Sequence, residues 1–179
     1  MKNLNTSAAN NCRRIQMMHC KKTIAAIISL LFLFPVAANA GTFEDGVFAY
    51  EHKDYVTAAK MFRLVARRGD SHAQFNLGLM YDLGLGVNRD YKEAVKWYRF
   101  SADQGYTKSQ LHLGLMYAYG KGVFRDYSRA HMWFSNAASF SQDYAEQSRY
   151  NLEKKMSRVD IGKAQKMRWR CRTSNYKNC

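Results

Sequence analysis

The 179-residue chain carries 28 Lys and Arg against 14 Asp and Glu, a formal charge of +14. Its 47% hydrophobic and 14% aromatic content is too apolar for a disordered chain and sufficient for a packed core. One proline and eleven glycines exclude collagen-like and proline-rich linker proteins, and the length suits a single domain.

At the N-terminus, Lys21-Lys22 precede an apolar run from Ile24 to Phe34, followed by Pro35 and Val36-Ala37-Ala38-Asn39-Ala40. A charged region, an apolar region and an A-x-A site are the three parts of a secretory signal peptide, so residues 1–40 are expected to be removed between Ala40 and Gly41. The rival reading is a membrane anchor, but Ile24 to Ala38 is only 15 residues and a span needs about 20. The stretch before the apolar run is long for a signal, so Met17 or Met18 is expected to be the true start. Position 41 is Gly rather than a lipid-modifiable cysteine, which argues for a soluble exported protein rather than a lipid-anchored one. Loss of residues 1–40, which hold five bases and no acid, leaves +9.

From Thr42 onward the sequence repeats itself. Leu77-Gly78-Leu79-Met80-Tyr81 returns as Leu113-Gly114-Leu115-Met116-Tyr117, a shift of 36. The same shift carries Gly84-Leu85-Gly86-Val87 onto Gly120-Lys121-Gly122-Val123, Arg89-Asp90-Tyr91 onto Arg125-Asp126-Tyr127, and Trp97-Tyr98 onto Trp133-Phe134. One step back, Asp54-Tyr55, Ala58, Phe62, Ala66 and Gly69 match Asp90-Tyr91, Ala94, Tyr98, Ala102 and Gly105. Gly46 lies eight residues before Asp54, whereas Gly78 lies twelve before Asp90, so the first unit lacks the G-x-G-V loop.

Each unit reads as two helices. Ala73, Leu77 and Tyr81 form an apolar stripe on the first, with Gly78 in it allowing close approach of a neighbour. Gly84 supplies a left-handed cap and Gly86 a second permissive turn residue. Asp90 caps the second helix, and Glu93 is expected to complete a capping box. Ala94, Trp97, Tyr98, Ser101 and Ala102 form the second stripe. One such pair cannot bury both stripes, so stacking of neighbours is required.

The pattern A-x-x-x-L-G-x-x-Y-x-x-G-x-G-V-x-x-D-x-x-x-A-x-x-W-Y-x-x-x-A-x-x-G resembles the Sel-1-like repeat, a relative of the tetratricopeptide repeat. Ala73 to Gly105 carries it almost completely, and Ser109 to Ala138 carries it with serine in the leading alanine position. Thr42 to Gly69 resembles a shorter, tetratricopeptide-length unit, so the resemblance covers about 100 of the 139 residues after Ala40. It implies an all-α fold, a right-handed α/α solenoid whose first helices line a concave side. The expected organisation is a tetratricopeptide-like unit at 41–70, Sel-1-like repeats at 71–106 and 107–142, and a helical cap with a basic, cysteine-containing tail at 143–179. By register with the tetratricopeptide pattern, the groove-facing candidates are His72, Phe75, Asn76, Leu79, Asp82 and Leu83, then Lys108, Leu111, His112, Leu115, Ala118 and Tyr119.

Beyond the repeats, Ala145, Ser148, Leu152 and Met156 fall on one face of a helix. Ser157, with Asp160 three residues on, caps another that continues through Ile161, Ala164, Met167, Arg168 and Trp169. Exported Sel-1-like proteins often end in a similar pair, with a Met-Ser/Thr turn and an Ala-Gln helix, here Met156-Ser157 and Ala164-Gln165. Cys171 and Cys179 are the two cysteines left after signal removal, and an oxidising compartment favours a disulfide over two free thiols. Lys154 to Cys179 holds nine bases and one acid, against fourteen and thirteen in residues 41–153.

No motif for catalysis or cofactor binding emerges. His52, His72, His112 and His131 show no metal-ligand spacing, so each is read as a surface or groove residue. Asp54, Asp90 and Asp126 recur at helix starts as caps rather than acids. The G-x-G pairs follow helices rather than strands, which removes a dinucleotide reading. Trp97 and Trp133 read as core. No cofactor and no metal are expected.

Three functions remain in view. The first is a non-catalytic exported scaffold, in a bacterial periplasm by signal and resemblance, whose concave face binds a protein or peptide. The second is an enzyme acting on peptidoglycan or β-lactams, as linked to cysteine-rich Sel-1-like proteins. Those carry a cysteine pair in each repeat, and this chain has none between Gly41 and Arg170. The third is an adaptor at an anionic membrane surface or other cell-envelope component, held by the basic tail. Nucleic acid is not an expected partner of an exported chain.

Overall fold

The computed structural model describes residues 41–139, 143–177 and 179. The expected signal, with Met17, Met18 and Ala40, lies outside the described residues. Those described form an all-α solenoid of eight helices: α1 (Phe43–Glu51), α2 (Tyr55–Arg67), α3 (Ser71–Leu83), α4 (Tyr91–Ala102), α5 (Thr107–Tyr119), α6 (Tyr127–Ala138), α7 (Asp143–Glu153) and α8 (Arg158–Thr173). Among the described residues no helix is long and apolar enough to cross a membrane.

The helix boundaries follow from the recurring aspartates and glycines. Asp54, Asp90 and Asp126 each accept a hydrogen bond from the backbone N–H three residues on, satisfying a donor that the first turn leaves free. Gly84 and Gly120 end α3 and α5 in the left-handed conformation, with φ of 74° and 69°. One expectation fails. Glu93 does not close a capping box at α4, because its carboxylate turns forward to Lys96 at 3.1 Å. The complete box stands at α1, where Thr42 and Asp45 exchange side-chain and backbone bonds.

Within a unit, the two helices meet through a glycine against an aromatic ring. A Cβ placed on Gly46 would lie 2.7 Å from the Phe62 ring, on Gly78 2.7 Å from Tyr98, and on Gly114 2.6 Å from Phe134. All three rings are buried, and each contributes about 1.5–3 kcal/mol by leaving water. Between units, the G-x-G-V loops reach back. The Cβ positions of Gly86 and Gly122 sit 2.0 Å from the Tyr55 carbonyl oxygen and 2.2 Å from that of Tyr91, at the start of the preceding unit's second helix. The first unit carries no such loop.

The C-terminal helices close the array differently. Both α7 and α8 pack on α6, and every residue of α6 from Ala130 to Ala137 is buried, including Trp133 at 0% exposure. Trp97, expected in the core, is half-buried and meets Phe100 edge-on at 5.7 Å. Ser157 caps α8 as expected, accepting from Asp160 N–H at 3.1 Å. After α8 the chain turns back, Tyr176 comes within van der Waals reach of a Cβ on Gly105, and Cys171 meets Cys179 with Cα atoms 5.0 Å apart, a geometry that admits the expected disulfide.

Candidate functional site

Successive first helices α3, α5 and α7 present equivalent positions to a shared face, and the twelve residues expected to line a groove divide into three groups there. His72, Leu83, Lys108 and Tyr119 are exposed, with Tyr119 at 71%. Asn76, Leu79, Asp82, Leu111, His112, Leu115 and Ala118 are half-buried. Phe75 is a correction. At 8% exposure it belongs to the core, its ring 5.9 Å from Tyr98, 5.4 Å from Tyr106 and 5.3 Å from His112.

Ring contacts of this kind join α1, α3, α4 and α5. His72 on α3 meets Tyr106 at 4.7 Å and Phe43 of α1 at 6.0 Å, while His112 on α5 meets Tyr98 at 5.1 Å. Tyr98 donates its hydroxyl to Asp82 at 3.4 Å. Burial, reinforced by the Asp82 charge, pushes the Tyr98 phenol far above its ordinary range, so it stays a donor. Burial lowers the pKa of His112 and Asp82 only partly opposes it, leaving His112 neutral near pH 7.

Further along, an open cleft of about 390 Å³ lies between α5, α6 and α7. Leu115, Ala118 and Tyr119 form one wall, Tyr144, Gln147, Ser148, Asn151 and Lys155 another, with Arg125 stacked over Tyr127 at 5.4 Å on the rim. The α7 wall was not anticipated from the sequence. Its signal was present: the 36-residue shift carries Lys108, Leu111, His112, Leu115 and Tyr119 onto Tyr144, Gln147, Ser148, Asn151 and Lys155. The letters differ so much that the register passes unnoticed. The positions held by Leu79, Leu83, Leu111 and Leu115 on α3 and α5 are followed by Gln147 and Asn151 on α7 and by Lys155 just after it.

His131 is the second correction. It sits in neither surface nor groove but is 3% exposed on α6, with Nε2 2.6 Å from Glu153 Oε1. Burial works to raise the Glu153 pKa, but the bonds and charges of His131 and Arg149 outweigh it and hold the carboxyl below its ordinary value. Ser135 Oγ lies 3.4 Å from His131 Nδ1, giving the connectivity of a hydrolytic triad. Ser135 is only 6% exposed within a helix, so its hydroxyl is poorly placed to attack a substrate. Among the described residues no cluster of three or more metal-ligating side chains occurs.

With this geometry in hand, comparison with known proteins is informative. The family model described as Sel1 repeat matches residues 71–106 and 107–139. The crystal structure of c5321, described as a protective antigen present in uropathogenic Escherichia coli strains displaying an SLR fold, superposes with a TM-score of 0.70 at 30% identity. That match covers 75% of this chain and 30% of the other. A Sel1 repeat protein from Oxalobacter formigenes superposes at 0.57 with 33% identity, covering 61% of this chain and 43% of that one. The chain thus spans less than half the length of either. No curated protein matches the sequence. Sel1 repeats commonly mediate protein–protein interaction. This chain therefore carries two Sel1 repeats in tandem and has the α/α solenoid fold of Sel1-like repeat proteins.

Proposed function

We propose that this protein is an exported, non-catalytic scaffold that holds a segment of a partner protein across the face formed by α3, α5 and α7. The observation that carries this reading is the cleft of about 390 Å³, whose two walls come from equivalent positions of successive first helices. Exposed Leu83 and Tyr119 beside half-buried Leu79 and Leu115 offer apolar contact, and Asn151 and Lys155 offer polar recognition at the other end. The export part rests on residues 21–40, and the periplasm is its expected destination. N-terminal sequencing of the protein recovered from cells should begin at Gly41. Photo-crosslinkable residues at positions 83, 119 and 151, introduced in the native cell envelope, should capture a common partner, whereas position 96 on α4 should not. Equal capture from all four positions would reject the groove.

A second reading is favoured by Trp169, which is 69% exposed on α8 between Arg168 and Arg170. A tryptophan on a basic helix suits an anionic membrane surface. Truncation is a poor test, because it would strip α8 from α6. The variant W169A/K166E/R170E keeps the packed face, and unchanged flotation with anionic liposomes would dispose of this reading.

A further inference from the structure

The junctions between successive units follow one pattern and then break it. Arg63 on α2 donates to the Tyr81 hydroxyl on α3 at 2.9 Å, and its guanidinium lies 5.9 Å from the ring centre. Arg99 on α4 repeats both contacts with Tyr117 on α5. One unit later the same positions hold Ser135 on α6 and Glu153 on α7. Glu153 is occupied by His131 and by Arg149, which donates at 2.7 Å. With a short serine in place of an arginine, an open cavity of about 350 Å³ remains, lined by His131 and Ser135 of α6, Ser139 at its C-cap, Arg149 of α7, and Gln165 and Arg168 of α8.

Charge in this cavity is unbalanced. Arg149 is matched by Glu153 and by Glu146 at 3.8 Å. Arg168 has only a hydroxyl: its Nη2 donates to Ser139 Oγ at 2.6 Å. Among the described residues its Nε is buried without a partner, and no carboxylate lies within ion-pair distance. Burial, followed by repulsion from Arg172 and Arg149, holds its pKa below the ordinary arginine value. A partly desolvated guanidinium without a counter-charge is costly, and an anion would relieve that cost.

We propose that this cavity binds an oxyanion, a carboxylate or phosphate group, with Arg168 supplying the charged donors and Gln165 a neutral hydrogen bond, while Ser139, whose proton goes to the Ser135 carbonyl at 3.1 Å, orients the guanidinium. The volume is at the small end of ligand pockets, which fits one charged group with a short substituent. It shares no lining residue with the larger cleft, so the two can be filled together.

Isothermal titration of the purified protein with inorganic phosphate and, in a separate arm, succinate, at fixed ionic strength in sodium chloride, tests this. Saturable binding of at least one is expected, and the stronger arm names the group as phosphoryl or carboxylate. Arg168→Gln should weaken it about tenfold or more, as loss of a charge-assisted bond predicts, and Arg168→Lys should restore part. Lys166→Gln removes the same charge from the exposed side of α8 and should change affinity less than about twofold. Circular dichroism verifies each fold, and if Arg168→Gln loses helical signal the lysine variant decides by its reduced affinity. Equal losses in Lys166→Gln and Arg168→Gln would reduce the effect to net charge. Absence of saturation by either anion would also overturn the site.

Discussion

Gly114 and Gly162 are both helical glycines, yet they should respond oppositely to alanine. Any helical Gly→Ala change gains about 0.5–1 kcal/mol from backbone entropy and propensity. At Gly162 a Cβ meets nothing within 4 Å, so Gly162→Ala should raise the thermal midpoint. At Gly114 it would lie 2.6 Å from the buried Phe134 ring, and overpacking of about 1–3 kcal/mol wins, so Gly114→Ala should lower the midpoint in the same assay. A rise at Gly114 would mean that the glycine–aromatic contact does not limit helix approach. His112 offers a second residue-scale test. Its folded pKa lies below the ordinary histidine value of 6.5, so the unfolded chain takes up the proton first on acidification. The stability that depends on neutral His112 is therefore complete above pH 6.5 and is lost as pH falls below it. Denaturation followed from pH 7.5 to 5 should show this decline, with a shallower slope in His112→Asn.

Helices and their connections carry a different logic. Gly120 and Gly122 sit in one loop with nearly equal φ, 69° and 71°. Placing alanine in that conformation costs about 1–2 kcal/mol at either position. At Gly120 the nearest atom to a Cβ is the Arg125 Cβ at 3.4 Å, an ordinary contact. At Gly122 it is a backbone carbonyl at 2.2 Å, which cannot yield without moving the start of α4. Urea denaturation should rank Gly122→Ala clearly below Gly120→Ala. The turn itself was legible in the sequence because glycine, aspartate and tyrosine recur at fixed spacing. What the loop touches was not, because its contact is main-chain carbonyl and leaves no residue-type signal. Glu93 shows the same limit in reverse: spacing allowed a capping box, but a lysine three residues on competes for the carboxylate. Phe75 was assigned to the groove by register alone, and only the positions of Tyr98, Tyr106 and His112 show that its ring is enclosed.

For the molecule as a whole, the solenoid was readable because many positions agree over two periods. The C-terminal closure was readable only in part. Its small apolar residues and Ser157 cap mark two helices, but nothing in their spacing says that both lie on α6, or that His131 and Glu153 replace the arginine–tyrosine link. The α7 wall of the cleft was hidden because its side chains share register, not chemistry, with α3 and α5. These departures gather where the periodic pattern stops, and both cavities proposed as binding places border α6 and α7.

Gly86 on the Tyr55 carbonyl and Gly122 on the Tyr91 carbonyl are one joint made twice. Each inner unit thus brings its own plug and offers the next an identical socket, so array length becomes an adjustable dimension. A tandem copy of residues 71–106 inserted after Tyr106 should find both fittings ready. The longer protein should unfold in a single transition at a midpoint no lower than the parent's, with proportionally more helical ellipticity. A separate early transition would show that the joint is peculiar to its present neighbours.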